Sequence, residues 1–409
     1  VLPPWLIVAA GMAVQACLGS AYAWSWFQQP IREACGWSNS TTTWAFSTAI
    51  ACLGLAAAWA GPRLDRWGPH RVAMAGGALF AVGHLLAALA LHRHDPLLLV
   101  LGYGVVGGCG LGLGYVAPVA AAARSAPERK GLATGLVIMG FGLGALLMAK
   151  VAAPLLHQAF AVGQADDAAG RRAVLAQVFL TLGLGFLVVI PALGALLRPP
   201  PVAVTAAAAG GWFGRRFALL WLVFFCNIAA GIALIGFLSP LYQGLLRRHG
   251  PAPDPAGLAA AGATLIALAA LANGAGRPLW GALSDAIGRA RTFRVLLAVQ
   301  VAAFAALAAT GEPWLFALLV GVVMLGYGGG FGTMPSAVLD AFGPRRMAAA
   351  YGAMLTAWSA AGVAGPQLTA LLADRWPEQA GHYAALLGLG FTALGFAVSL
   401  RLRDGAEPD

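Results

Sequence analysis

Apolar runs of about 20 residues, the length that crosses a hydrocarbon core, follow one another along the chain. Short charged or Pro/Gly-rich breaks separate them. The runs at 5–28, 41–61, 72–91, 97–122, 131–156 and 174–197, then 216–244, 257–283, 293–311, 313–338, 348–372 and 382–400, predict an all-α membrane protein of twelve transmembrane helices. The first run is too long for a signal-peptide core and no small-residue cleavage site follows it, so it is expected to remain as a membrane helix. The break at 198–214 (RPPPVAVTAAAAGGWFG) falls midway along the chain. Its prolines, alanines and glycines read as a linker between a six-helix bundle at 1–197 and another at 215–409.

Composition agrees with this pattern and charge placement orients it. Of 409 residues 60% are hydrophobic and 10% charged, too few charges to cover a soluble surface. The net charge of +10 would suit nucleic acid if it formed a patch, but the basic residues sit between helices. With both termini cytoplasmic, the inner connections and tail hold Arg63, Arg66, Arg71, Arg124, Arg129, Lys130, Arg198, Arg215, Arg216, Arg289, Arg291, Arg294, Arg345, Arg346, Arg401 and Arg403. The outer connections hold only Arg32, Arg93, Arg171, Arg172, Arg247, Arg248 and Arg375. The positive-inside rule therefore places both termini in the cytoplasm. The five cysteines are scattered and show neither metal-ligand spacing nor a disulfide framework. Neither metal nor cofactor is expected.

The two halves repeat each other. After the second run stands GPRLDRWGPHR, with Gly61, Asp65, Gly68 and Arg71; after the eighth stands GALSDAIGRAR, with Gly281, Asp285, Gly288 and Arg291, 220 positions on. Pro118, Pro127, Arg129 and Gly135 recur as Pro335, Pro344, Arg346 and Gly352, 217 positions on. Two pairs at nearly one offset indicate a parallel duplication of a six-helix unit. The element G-x-x-x-D-x-x-G-x-x-R resembles the signature of the major facilitator superfamily, and the likeness extends over the whole chain in helix count, linker and repeat. It implies the major facilitator fold and, for Asp65, Arg66, Arg71 and Asp285, a part in latching the cytoplasmic gate. The alternative for these charges is simple anchoring of helix ends in the headgroup layer.

Within the runs two cations remain, Lys150 and Arg277, and all fifteen acids lie in loops, at helix ends or in the tail. Lys150 is near the outer end of its run, from which its stem reaches the interface; substrate contact is the alternative. Arg277, in ALANGAGRPLWGALSD, carries a charge that costs about 2.5–3.5 kcal/mol at a helix centre. Arginine does not shed its proton, and its planar fork matches a carboxylate. Asn273, one turn earlier, shares its face. A fixed cation beside an amide suits a small carboxylate; the competing role is pairing with a loop acid at the gate. Tyr22, Trp24, Trp26, Tyr115, Tyr327, Tyr351 and Trp358 are candidate aromatic walls, with Tyr115 and Tyr327 singled out by flanking glycines. Two apparent motifs are set aside. Gly102, Gly104 and Gly107 spell GxGxxG inside an apolar run with no strand before it, and glycines there favour helix packing. Asn39-Ser40-Thr41 is formally a glycosylation acceptor, but is expected to cap the second helix.

YAWSWFQQP (22–30) and NGAGRPLWGALSDAIGR (273–289) resemble the oxalate/formate antiporter and monocarboxylate transporter group. That resemblance implies that Arg277 binds the substrate carboxylate and that Tyr115 and Tyr327 line the pocket. The chain departs from the group in three places. Trp358 stands where oxalate exchangers carry a second cation, Asn273 where animal monocarboxylate carriers have an aspartate linked to proton coupling, and Trp26 where those carriers have a lysine. A dianion beside Arg277 alone would leave a buried charge uncompensated, so a monoanion is expected. The reading is a secondary active transporter of a small monocarboxylate, such as L-lactate or pyruvate, moving with a proton by alternating access in the cell membrane, in a bacterial case the inner membrane. The substrate-binding set is Arg277, Asn273, Tyr115, Tyr327, Trp358 and Tyr22. A proton-independent antiporter of the oxalate/formate type is the alternative. A sensor built on a transporter fold would need a signalling domain for which these loops leave no room, and a drug exporter would want a larger apolar cavity without an anion anchor. No enzyme constellation is visible.

Overall fold

The computed structural model describes residues 2–126, 130–163, 167–199, 214–249, 254–343 and 346–403. Eleven helices among them are long and apolar enough to cross a membrane. They are α1 (Pro4–Cys35), α2 (Asn39–Arg63), α3 (Pro69–Arg93), α4 (Pro96–Ser125), α5 (Ala133–Ala161), α6 (Ala168–Gly194), α7 (Arg215–Ile235), α8 (Pro255–Ile287), α9 (Arg289–Ala309), α10 (Pro313–Phe342) and α12 (Pro377–Ser399). The expected run at 348–372 is α11, interrupted at Leu355 into Met347–Met354 and Thr356–Arg375. It lies outside the eleven.

Local chemistry sets the helix starts. Asp95, Asp167 and Asp254 each accept a backbone N–H of the first turn, at Leu98, Gly170 and Gly257, which satisfies donors a helix cannot pair internally. At α2 the cap is Ser38, which accepts from Thr41 N, one residue before the expected Asn39-Ser40-Thr41. Asn39 and Ser40 belong to the first turn, and their donors point elsewhere. The repeated loops share an unusual backbone: Gly68 has φ 78° and ψ 139°, Gly288 has φ 90° and ψ 155°. Only glycine enters that region without strain. Pro127, Arg129 and Pro344 of the second repeat, and residues 200–213 of the expected linker, lie outside the described residues.

Two helices break at matching places. α1 passes through a 3₁₀ turn at Ser20–Ala23 before resuming as Trp24–Cys35. α7 stops at Ile235 and resumes as Leu238–Arg248. Gly19 and Gly236, at these breaks, are 217 positions apart, the offset of the second repeat. The bundle has a terminal end, where Arg216, Asp285, Arg289, Asp340 and Leu402 gather. Its distal end gathers Arg32, Asn39, Arg248, Thr310 and Glu378.

The first six and last six helices meet along two seams. One joins α2 to α11, the other α5 to α8. The interior is mostly apolar, and its buried polar groups include Asn227, whose Nδ2 donates to Gln300 Oε1 at 3.0 Å and to Gly326 O at 3.2 Å. Gln300 Nε2 in turn donates to Val323 O at 3.1 Å, so α7, α9 and α10 are tied by a buried network. The GxGxxG glycines lie in a π-helical stretch of α4, Val100–Gly107, inside an apolar helix as expected.

Candidate functional site: a buried arginine in an aromatic box

Arg277 is 4% exposed, in mid-helix on α8. α10 packs closely against it because Gly328 and Gly332 carry no side chain. A Cβ at either would strike the backbone carbonyl of Asn273 or Arg277. From this position Arg277 Nη1 crosses the α5–α8 seam and donates to Ile138 O at 3.1 Å. Its Nε and Nη2 are buried and meet no partner at hydrogen-bond geometry among the described residues, although the Tyr115 hydroxyl stands beside the guanidinium. Its guanidinium carbon lies 5.3 Å from the centre of the Phe331 ring, a cation–π distance.

Aromatic side chains from five helices close around this cation. Tyr22 of α1 and Tyr327 of α10 share a hydrogen bond between their hydroxyls at 2.5 Å. Phe141 of α5 meets Tyr22 edge-on at 5.1 Å and Tyr115 of α4 at 5.3 Å. Trp358 of α11 contacts Tyr115 at 5.2 Å and Phe331 at 4.7 Å. Edge-to-face rings of this kind favour one arrangement over many. Two more buried polar atoms lack a partner at hydrogen-bond geometry among the described residues: Asn273 Oδ1, and Trp358 Nε1 beside the Tyr327 hydroxyl. Asn273 and Tyr22 line a small void with Gly142 and Met324. Unpaired buried polar groups are costly, and four such atoms on three of these residues describe a place shaped for a polar ligand.

The six expected binding residues, Arg277, Asn273, Tyr115, Tyr327, Trp358 and Tyr22, therefore converge. Trp24 and Trp26 do not. Trp24 follows Tyr22 by two residues, about 200° around a helix, and packs on Phe46 and Tyr103 with its Nε1 donating to Gln28 Oε1 at 2.6 Å. Trp26 lies against Phe27 and His157. Tyr351, half-buried in the first segment of α11, stands within electrostatic reach of Tyr115 and Arg277, at the edge of the box. Lys150 is exposed and donates to Thr264 Oγ1 at 2.5 Å, away from the aromatic box. Sequence reasoning missed Phe141 and Phe331. Phe331 follows Tyr327 by four residues, the spacing that puts both on one helical face, and Phe141 stands in MGFGLGA, a glycine setting like those of Tyr115 and Tyr327.

At the terminal end, Asp285 accepts from Arg289 Nη1 at 2.5 Å, and Arg289 Nε donates to Asp340 Oδ2 at 3.0 Å. Arg66 and Arg71 are exposed and make no ion pair with a described residue. The side chain of Asp65 lies outside the described residues. Asp285 is thus engaged within α8–α10, whereas Arg289 and Asp340 were not singled out in the sequence. At the distal end Asp374 of α11 accepts four hydrogen bonds from the start of α2: Asn39 N (2.8 Å), Asn39 Nδ2 (2.9 Å), Ser40 N (2.9 Å) and Ser40 Oγ (2.6 Å). Burial pushes the Asp374 carboxyl up, but the bonds from Ser40 and Asn39 outweigh it and hold the group below its ordinary value.

Residues 9–366 match the family model of the Major Facilitator Superfamily. The chain belongs to that superfamily. Major facilitator superfamily relatives include the oxalate:formate antiporter of Oxalobacter formigenes, 27% identical over 90% of this chain and 85% of its own length. The apicoplast pyruvate carrier 1 of Toxoplasma gondii is 29% identical over 76% of this chain and 66% of its own. Monocarboxylate transporter 13 of Rattus norvegicus is 30% identical over 58% and 52%. Among solved structures, a bacterial homologue of the human lysosomal transporter Spinster, inward-facing and occupied, superposes with a TM-score of 0.72 at 17% identity over 98% of both chains. FucP in the outward conformation gives 0.67 at 14% identity over 98% and 99%. These likenesses establish the fold. The protein is a multi-pass membrane transporter of the major facilitator superfamily.

Proposed function

We propose that this transporter moves a small monocarboxylate, such as L-lactate or pyruvate, together with a proton, by alternating access. The observation that carries the reading is the pair of unpaired N–H groups on buried Arg277. A buried cation without a counter-charge costs several kcal/mol, and a carboxylate facing Nε and Nη2 would remove that cost with a bidentate pair. Trp358, in the same box, supplies an N–H but no second charge, which favours a monoanion over a dianion. The named relatives carry or exchange carboxylates by their names, oxalate and formate in one case and pyruvate in another. In this reading twelve helices form two six-helix units, 1–197 and 215–409, joined by 198–214, with both termini in the cytoplasm of a bacterial inner membrane. Tyr22, Tyr115, Tyr327, Trp358 and Asn273 enclose the ligand, and Asp65, Arg66, Arg71 and Asp285 belong to the cytoplasmic gate. Substrate neutralises Arg277 within the box, and with the proton on board the loaded protein carries the same net charge as the empty one, so the symport cycle is electroneutral.

A second reading is proton-independent exchange of organic anions. It is favoured by the position of the carboxylates, which among the described residues stand at helix ends, as Glu33, Asp285 and Asp340 do, and not in the middle of a span, and by the antiporter among the relatives. Radiolabelled L-lactate uptake into proteoliposomes under an inward proton gradient, with and without Arg277→Gln, separates the two. Gradient-stimulated uptake that vanishes in the variant supports symport with Arg277 as anchor. Uptake indifferent to the gradient but stimulated by oxalate or formate inside selects exchange. Uptake that survives Arg277→Gln overturns the anchor in both readings.

A further inference from the structure

The central box is not the only place suited to an anion. A cleft of about 730 Å³ opens at the distal end, within the size range of small-ligand pockets. It is lined by Arg32 of α1 and by Arg247 and Arg248 from the second segment of α7, so both halves of the bundle contribute cations. Glu378 is the only carboxylate among the described lining residues, leaving an excess of positive charge with the histidines neutral. His249 on the rim faces Glu312 at 3.2 Å. The basic residues are concentrated here against the general trend: of the seven placed on this side of the protein by the sequence, three line this one cleft.

The floor of the cleft connects it to the central site. Phe237 and Leu241 face the cleft, whereas Ile235 and Leu238 face the void beside Tyr22 and Asn273. The interruption of α7 between Ile235 and Leu238 is therefore the partition between the two spaces. Beside it Gln28 of α1, also in the cleft lining, is held by a donated bond to Thr43 Oγ1 at 2.8 Å.

We infer that the distal cleft is an anion-collecting site, where a small carboxylate is held by Arg32, Arg247 and Arg248 before it passes the α7 break to Arg277. The inference rests on the proposed transport of a small organic anion and adds a second binding place to it. Clefts lined with one sign of charge raise the local concentration of the opposite ion and its on-rate by about 10-fold or more, in a salt-dependent way. The same arginines could instead hold the phosphates of lipid headgroups, which are anions of equal charge.

The test is initial uptake in zwitterionic proteoliposomes, using L-lactate, pyruvate, formate and oxalate as probes and continuing with whichever the unaltered protein carries. The variants are Arg32→Gln/Arg247→Gln/Arg248→Gln and the matching triple lysine protein. At 0.01 M salt the glutamine variant should raise KM about 3–10-fold with Vmax within about twofold, and the lysine variant should restore KM. At 0.5 M salt the difference should fall below about twofold, because the screening length drops from about 30 Å to a few Å. An unchanged KM, or a rise in KM that persists at high salt, overturns the inference. A rise confined to vesicles containing anionic lipid assigns the arginines to headgroups and also overturns it. Failure of the underlying reading looks different: none of the four probes is carried, or Arg277→Gln transports normally.

Discussion

The two seams between the first and last six helices are built on opposite plans. Along α2–α11 the polar side chains that bridge the two helices are satisfied. Asp374 takes four hydrogen bonds from the first turn of α2, and Ser359 Oγ donates to Ala51 O at 2.8 Å. Along α5–α8 the facing residues include Gly142 and Gly274, and the principal polar group, Arg277, has one bond and two unpaired donors. A satisfied seam gains nothing from a ligand, whereas an unsatisfied one does. In the proposed reading the energy of binding is delivered at α5–α8, while α2–α11 sets how firmly the distal end is shut.

The largest effect expected from breaking this contrast comes at the unsatisfied seam. Arg277→Gln should lower transport by about 100-fold or more, since losing one partner of a buried charge pair costs about 3–5 kcal/mol; uptake of the preferred probe measures it. Asp374→Asn comes next. The amide keeps one acceptor and turns an NH2 toward the donors of Asn39 and Ser40, a loss of about 1–3 kcal/mol. The distal end should open more often, giving about 10-fold faster labelling by an impermeant maleimide of Ala269→Cys, which lines the closed void. Acidification should not imitate that variant. A carboxyl held below its ordinary value keeps its clamp at all pH above that value and loses it only as pH falls through the lowered one. Labelling measured relative to a freely exposed cysteine, which cancels the falling thiolate fraction, should thus stay flat from about pH 8 to pH 5, and a rise in that ratio that Asp374→Asn removes would refute the assignment.

Two smaller effects sharpen the comparison. Phe331→Leu removes the ring beside the guanidinium and should raise KM about 3–10-fold, within the range of a desolvated cation–π contact. Lys150→Met, which loses only an exposed bond to Thr264, should change uptake by less than about twofold. A large loss there would move Lys150 from the distal rim of the seam into the transport path.

The parts legible in the sequence were those with a local cause. A cation in an apolar run stands out at Arg277, and the duplicated loop is visible because Gly68 and Gly288 meet the same backbone demand. Asn273 was found by its place one turn before Arg277, Tyr115 and Tyr327 by glycine settings and resemblance, and Tyr22 and Trp358 as aromatic residues within their runs, and the structure brings all five to Arg277. The breaks in α1 and α7 escaped notice because Ser20–Ala23 and Gly236-Phe237 are as apolar or small as their surroundings. Asp374 escaped because its partners, Asn39 and Ser40, are more than 330 positions away, and its own helix end looks like any other. Trp24 was misplaced because residue type alone says nothing about which face of a bent helix a ring occupies.

The buried amides Asn227 and Gln300 also have a mechanical consequence. By tying α7, α9 and α10 together they stiffen the frame against which α8 rests. α8 itself runs for 33 residues, about 50 Å, with Pro278 in its interior next to Arg277. A proline there cannot donate to the carbonyl of Gly274 and weakens the helix locally, so Arg277 sits at the point where α8 bends most easily. A tilt of about 10° around the centre would swing each end by about 4 Å, enough to part a hydrogen bond at the rim. Under the proposed function Arg277 would work like the hand on a lever, and the sensitivity of the gates would depend on the length of the arm as much as on the strength of the grip.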